Sequence, residues 1–415
     1  MCRIVNSAET FRKEPMNFRG SHVKVTPARP DQEGVHPDAS SESKIAGRLR
    51  PAELFTWASL ALVGSLGVAR ADTSDVKSPA PVLIAKSGQH CKDDPNCFNR
   101  IHHAIKPVAH VEPGQHFLLE TRDGLDSDLN WNSTAQDVAA INLNLCHPLT
   151  GPVYINGAKR GDAIALTVLD IAPDEFGSTT IVPGFGFLRD LFPDPYIVRW
   201  ELNRLEARSK DMPGVAVPNK SFMGAIGVLP GKPELDAWLK REQALADAGG
   251  AVLTPQPVDA LPADLCGVDG VAKGECLRTV PPRENGGNVD AKETVVGTTI
   301  ILPCFIDGCG VFAGDGHFAM GGGEVAGTAI EMGAKVRLKA RLIPGGASRV
   351  STMHFEGGSQ LKELAPSSFY AVTGLPIKKK ENCRYLRRIW AGTRSRLLPI
   401  CLKILPSRHV MPQSA

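Results

Sequence analysis

A chain of 415 residues, 42% of them apolar, is long enough to bury a large core in one elaborate domain or two intimate ones. Only 6% of residues are aromatic while 41 are glycine and 32 proline, which favours a turn-rich, strand-rich protein over a helical bundle. Of 47 basic and 44 acidic side chains, residues 1–71 hold ten and seven and residues 378–415 hold ten and one, so residues 72–377 keep 27 and 36, a net of −9. That acidic globe excludes nucleic acid as a partner, whatever the overall net charge of +3 suggests.

From the N-terminus, Arg48 and Arg50 precede the apolar run Leu54–Ala69, and Ala69-Arg70-Ala71 follows with the small-residue spacing a signal peptidase accepts. The run falls short of the roughly 20 apolar residues a membrane span needs. Residues 1–71 therefore read as an N-terminal extension and signal peptide, with mature protein from Asp72, no stable membrane span after its removal, and a periplasmic or secreted location. Residues 72–100 read as a lead-in. Ten cysteines fit an oxidising compartment. The loop-like pairs Cys91/Cys97 and Cys266/Cys276 read as small disulfides, and Cys304 and Cys309 as small packing residues. No CxxC spacing occurs, which argues against a zinc ribbon.

HFLLETRDG is a strand that ends near Glu120 and Asp123, and LNLCHPLTGP places His147 at a strand-to-turn junction. GPVYING and DAIALTVLDI, joined through GAKRG, read as the arms of a hairpin. Pro233–Gly250 is a helix with proline in its first turn, Leu235, Trp238, Leu239 and Leu245 on one stripe, and a Gly pair at its end. PPRENGGNVDAKE sets Asn288 and Asp290 two residues apart before the buried strand TTIILPCFI. KVRLKARLI alternates Val336, Leu338, Ala340 and Leu342 with basic residues. No βαβ alternation occurs, so the fold class is mostly β with α+β accessory elements, in a jelly-roll or β-sandwich-like architecture. Residues 378–415 form an atypical basic tail.

The stretch GDGHFAMGGGE, Gly314 to Glu324, carries the chemistry. It has neither the G-x-G-x-x-G of a dinucleotide loop nor the G-K-[ST] of a P-loop, and VAGTAIEM after it resumes a strand-like run. As a strand, period two puts Asp315 and His317 on one face. Gly321–Gly323 can reverse the chain and a strand returning at Glu324 would bring its carboxylate back. Asp315, His317 and Glu324 would form a three-ligand N/O set for a divalent cation, zinc first and calcium second, with room for an activated water. Asp123 is a further candidate ligand. The residue types alone equally allow a plain strand reversal in which Asp and His satisfy the turn backbone.

Four stretches, taken in order, resemble the acetamidase/formamidase family: HPLTGPVYINGAKRGDAIALTVLDI, PGVAVPNKSFMGAIGVLP, PPRENGGNVDAKE and GDGHFAMGGGEVAGTAIEM. The likeness runs from about residue 100 to Pro376, so residues 101–377 are expected to be the catalytic domain. It implies hydrolysis of short aliphatic amides to carboxylate and ammonia, a β-rich fold, metal association and a homo-oligomer. It also implies catalytic roles for Glu324, Asp315 and His317, and a substrate-lining role for Asn288, Asp290, His147 and Met320. Met320 and Gly322 stand where the family carries Gln and Asp. A binding protein of the same fold with little turnover is the alternative.

Overall fold

Strand Glu331–Ile343 buries Val336, Leu338 and Ala340 while Lys339 and Arg341 reach solvent, as the two-residue period requires. It belongs to a computed structural model that describes residues 80–250, 252–357 and the backbone of 369–372, all within the unit Thr73–Ala415. The run Leu54–Ala69, the cleavage region at Asp72 and the basic stretch 378–415 lie outside the described residues.

The protein is mostly β, with few helices. The spine of its large sheet runs Ala216–Pro218, Glu206–Arg208, Tyr196–Leu202, Ala163–Ile181, Glu331–Ile343, Val311–His317, Phe222–Val228 and Gly286–Asn288, every neighbour antiparallel. Val336, Leu338, Ile164, Leu166, Val311 and Ile226 meet in the main apolar core. Strand Val82–Ile84 pairs in parallel with His116–Thr121, and Cys97–Phe98 pairs with the start of Leu149–Ile155. From Ala80 onward the expected lead-in is thus woven into the sheet. No helix among the described residues is long and apolar enough to cross a membrane.

Three expectations are corrected. GPVYING and DAIALTVLDI both form strands but do not pair with each other: Leu149–Ile155 joins Val311–His317, and Ala163–Ile181 joins Glu331–Ile343, Tyr196–Leu202 and Thr299–Pro303. The link between them is held by other segments, with Arg160 N–H on Asp307 (3.0 Å) and Gly161 N–H on Cys304 O (3.0 Å), which carries the chain to new neighbours. Second, Cys304 and Cys309 form a disulfide, like Cys91–Cys97 and Cys266–Cys276; the loop between them brings their Cα atoms to 4.7 Å.

Third, helix Lys232–Asp247 buries Leu235, Trp238 and Glu242, while Leu245 is exposed. At 3.6 residues per turn Glu242 lies about 20° around the axis from Leu235 and Leu245 about 80°. The buried Glu242 is matched by a forked Arg283, Nε to Oε1 at 2.7 Å and Nη2 to Oε2 at 2.9 Å. Arg241 grips Glu284 in the same way, at 2.6 and 3.1 Å. Both partners lie in PPRENGGN, so the helix fastens the segment that carries Asn288 and Asp290. Glu242→Ala leaves the buried Arg283 unpaired and is expected to lower unfolding stability by about 3 kcal/mol in urea titrations, a far larger loss than an exposed-site control such as Asp236→Ala shows.

Candidate functional site

Strand Val311–His317 is buried along its whole length between Phe222–Val228 and Leu149–Ile155, so the polar side chains of Asp315 and His317 are sealed inside the sheet. After His317 the chain turns through Gly321–Gly323 and re-enters the sheet at Glu331, directly opposite His317. The returning strand therefore begins at Glu331, not at Glu324 as expected. Residues 324–330 are kept as an irregular link because other segments hold them: Phe187 N–H donates to Val325 O (2.9 Å), and Thr180 N–H to Thr328 Oγ1 (3.1 Å). Glu324 sits within the turn, its carboxylate still turned toward His317.

His317 is the hub. Its Nε2 lies 3.4 Å from Asp315 Oδ1, 3.3 Å from Glu331 Oε1 and 3.7 Å from Glu324 Oε1, and its Nδ1 lies 3.9 Å from Asp290 Oδ1. The ring edge of Phe222 packs on it at 5.1 Å. His147 approaches from the far side, Nε2 to Asp315 Oδ2 at 3.9 Å, with its main-chain N–H on Thr279 Oγ1. Two sets have donor atoms within 4.8 Å of one another: Asp315, His317 and Glu331, all buried, and Asp290, His317 and Glu324 nearer the surface.

Four carboxylates thus face two imidazoles, which are the positive groups bearing on them. Burial pushes the Glu324 carboxyl up to about 10 and that of Asp290 up to about 7, with the neighbouring acids adding to both and His317 opposing. Burial also raises Glu331. For Asp315 burial works upward too, but the imidazoles of His147 and His317 outweigh it and hold the carboxyl below its ordinary range. The His317 imidazole is driven well above its ordinary value: burial opposes this, and Glu331 and Asp315 win. Burial lowers His147. Next to it, burial and the Asp315 and Glu331 charges raise the free Cys146 thiol, so it is no thiolate nucleophile at neutral pH.

The residues fit a cation. Two ligands each about 2.1 Å from a tetrahedral zinc stand roughly 3.4 Å apart, which is close to the distance from His317 Nε2 to Asp315 Oδ1 (3.4 Å) and to Glu331 Oε1 (3.3 Å). Calcium takes six to eight oxygens, so a three-donor set with one imidazole suits zinc better. Among the described residues, His147 Nδ1, Asn288 Oδ1, Asp290 Oδ1, His317 Nδ1 and Glu331 Oε2 are buried without a hydrogen-bond partner. Orphaned polar atoms are rare in folded proteins, and four of these, on His147, Asp290, His317 and Glu331, gather in one place and mark a site made for something polar. Backbone strain gathers there too: Asp290, Asp315 and Glu324 have φ of 44°, 54° and 45°. Such conformations cost of order 1–3 kcal/mol each and persist where the surroundings enforce them.

Two glycines close the walls. A Cβ on Gly224 would lie 2.6 Å from Asp315 Oδ2 and 2.8 Å from both Asp290 Oδ1 and His317 Cε1; one on Gly124 would lie 2.3 Å from Asp315 Oδ1 and 3.1 Å from Glu331 Oε2. Main chain, from a strand at Gly224 and a turn at Gly124, therefore touches the cluster directly.

Residues 84–401 match the sequence profile of the Acetamidase/Formamidase family. The chain belongs to that family. An acetamidase from Mycolicibacterium smegmatis is 35% identical over 270 residues, 60% of this chain and 66% of that protein. A formamidase from Methylophilus methylotrophus is 32% identical over 273 residues, 62% and 67% of the two chains. The alignments thus span about two thirds of each relative's length. Among solved structures, a gamma lactamase from Delftia acidovorans has a TM-score of 0.64 and 33% identity, covering 67% of this chain and 72% of its own. An acetamidase from Bacillus halodurans, at 23% identity and a TM-score of 0.50 over 69% and 80% of the two chains, is alike in fold. The family profile extends past Pro376 into the basic stretch.

In this family member the expected Asp315, His317, Glu324 and Asp290 come together, and His147 joins them. Asn288, on the strand beside Gly224, donates Nδ2 to Val280 O (3.2 Å) and leaves Oδ1 free. Asp123 does not join either ligand set; its Oδ1 accepts the N–H groups of Leu125 (2.8 Å) and Ser127 (3.3 Å), capping its own turn. Met320 is half-buried in the turn and belongs to neither set. Glu331 was missed by sequence reasoning. In EMGAKVRLKARLI it shares parity with Lys335 and Arg337, the polar face, and only the strands stacked over that end bury it.

Gly224→Ala places a methyl against three site atoms and is expected to cut amide turnover at least tenfold in a protein that still folds, checked by kinetics alongside circular dichroism. A second outcome concerns pH. Asp290 and Glu324 have folded values raised above their ordinary 3.8 and 4.5, so their stabilisation is present in acid and lost as pH rises through about 7 and about 10. Raised His317 runs the same way, lowered His147 opposes it, and Asp315 matters only in stronger acid. Chelator-treated protein should therefore melt lower at pH 8 than at pH 5.5, and added zinc should restore more of the loss at pH 8. A chelated protein that melts higher at pH 8 contradicts this assignment.

Proposed function

We propose that the chain hydrolyses the C–N bond of short linear aliphatic amides, such as formamide and acetamide, to carboxylate and ammonia. The observation that carries the reading is the buried cluster around His317 with four orphaned polar atoms on His147, Asp290, His317 and Glu331, set in a member of this family. Asp315, His317 and Glu331 would hold a divalent cation, zinc by the donor argument. When bound, such an ion polarises a carbonyl oxygen and lowers the pKa of a water toward ~7.

The remaining work falls to the chain's own side chains. An amide nitrogen leaves poorly unless it is protonated, so the site needs a carboxylic acid as well as a base. Glu324, whose carboxyl burial and the neighbouring acids push toward its protonated form and whose oxygen lies 3.7 Å from His317, is placed to hand a proton to the nitrogen. Asp290, in contact with it and less strongly raised, is placed to take a proton from attacking water. Asp315, held ionised by two imidazoles, stays a fixed negative charge that orients both rings. Asn288 Oδ1 and His147 Nδ1 are free to bond the amide group. At Gly322, where an acid is expected, a Cβ would meet open space, so its absence removes no packed contact. The three disulfides support an exported, oxidising location, and the family likeness supports a homo-oligomer.

Ammonia release from formamide, acetamide and propionamide, with and without a chelator, tests the reading. Turnover should vanish on chelation and return with zinc, and Glu324→Gln should lower kcat by about a hundredfold. Normal turnover in Glu324→Gln would sink the proton-carrying role. Amide binding without ammonia from any of the three would favour the binding-protein alternative.

A further inference from the structure

Arg100, Arg278 and Thr279 take no part in the hydrolysis, yet all three are buried behind the loop that carries His147. His147 turns its Nε2 toward Asp315 Oδ2 (3.9 Å) and keeps Nδ1 without a partner. It lies two residues ahead of strand Leu149–Ile155, so no ladder of main-chain bonds fixes it. Its backbone is held instead by Thr279, whose Oγ1 accepts the His147 N–H. At 1% exposure Thr279 is out of reach of bulk water, so nothing replaces that acceptor if it is removed.

The segment around Thr279 is fixed from both sides. Leu277 and Arg278 pair with Ile101 and Arg100, directly after the Cys266–Cys276 disulfide. Arg283 donates Nη1 to Arg278 O (2.9 Å) and Pro281 O (3.0 Å), which joins the segment to the Glu242 clamp. The two other arginines grip the loop ahead of His147. Arg278 donates to Leu143 O (2.7 Å) and Asn144 Oδ1 (3.3 Å), and Arg100 to Asn144 O (3.0 Å). One residue beyond Thr279, Val280 O accepts Asn288 Nδ2 (3.2 Å). Consecutive Cα atoms stand ~3.8 Å apart, so His147 and Asn288 are fastened to adjacent links of one braced segment. Those two residues carry the polar atoms left free for the amide, His147 Nδ1 and Asn288 Oδ1.

We propose that Thr279 is a positioning residue: through the His147 main chain it sets the imidazole between Asp315 and the bound amide. Thr279 belongs to neither ligand set, so it acts on the amide and not on the cation. Displacing a positioning group by about 1 Å costs on the order of a hundredfold where geometry governs the rate. This role rests on the amidase reading above and adds a residue to the same site.

The test uses the zinc-loaded full chain. Thr279→Val keeps the side-chain shape but leaves the His147 N–H unpaired. KM for acetamide should rise at least tenfold while kcat changes less than threefold, because the amide is held alike before and during reaction. Bound zinc should equal that of the unaltered chain. Thr279→Ser restores the acceptor and should stay within threefold of the unaltered kcat/KM. Should valine prevent folding, Thr279→Ala carries the same expected rise in KM. Thr298→Val removes another buried hydroxyl, one bonded to Glu293 O (2.9 Å), and should leave KM unchanged. In a His147→Ala background, where no imidazole remains to be placed, Thr279→Val should cost less than twofold. An unchanged KM in Thr279→Val, a serine variant as impaired as the valine one, loss of zinc, or an equal cost in the His147→Ala background would overturn the role and leave the amidase reading intact. Ammonia from no amide in the unaltered chain overturns the amidase reading, and this role with it.

Discussion

Four carboxylates gathered on one buried histidine, two of them fully buried and with no lysine or arginine among them in the described residues, are the constraint that the rest of this structure serves. Like charges in a desolvated space repel strongly, and left alone the groups would swing apart or draw in water. Here each is held by a different anchor. Asp315 and His317 are fixed by a fully buried strand, and Glu331 by the register that sets it opposite His317. Asp290 follows a segment clamped to helix Lys232–Asp247 through the forked Arg283–Glu242 and Arg241–Glu284 pairs. Glu324 rides on a turn pinned by the Phe187–Val325 bond.

The anchors explain why strain and tight approach concentrate where they do. Positive φ at Asp290, Asp315 and Glu324 turns three acids toward one point, which ordinary extended backbone would not. Gly124 and Gly224 then let main chain close in on the carboxylates, leaving no room for them to separate. The Cys304–Cys309 disulfide closes the loop just ahead of Val311–His317, so the entry to the central strand is covalently fixed as well.

Much of this was legible in the sequence, for identifiable reasons. The Asp315–His317 pair and its glycine turn are local, so period two and glycine chemistry suffice to read them. The β-rich class follows from alternation and turn residues, and the two loop disulfides from their spacing. What was hidden depends on long-range neighbours. Glu331 looks like the first charge on a polar strand face until other strands are laid over it. The partners of Leu149–Ile155 and Ala163–Ile181 come from distant segments, which a hairpin reading cannot anticipate. Asp123 has the right residue type next to the right glycine, yet its carboxylate is consumed by its own turn. The helical stripe failed at Leu245 because an ion pair, not a hydrophobe, completes that face.

The same crowding that makes the cluster costly also divides its labour. Asp315 lies between two imidazoles, so its ionised form is favoured despite burial. Glu324 and Asp290 lie nearer the surface, yet burial, with the other acids adding to it, outweighs His317 and favours their protonated forms. One set of carboxylates is thereby divided into one member whose ionised form is favoured and two whose protonated forms are favoured, without any difference in functional group. Environment alone separates them, which is how a single fold runs acid and base steps at one pH. That separation survives only while the distances around His317 hold, and this ties the chemistry back to the helix clamp, the glycine walls and the pinned turn.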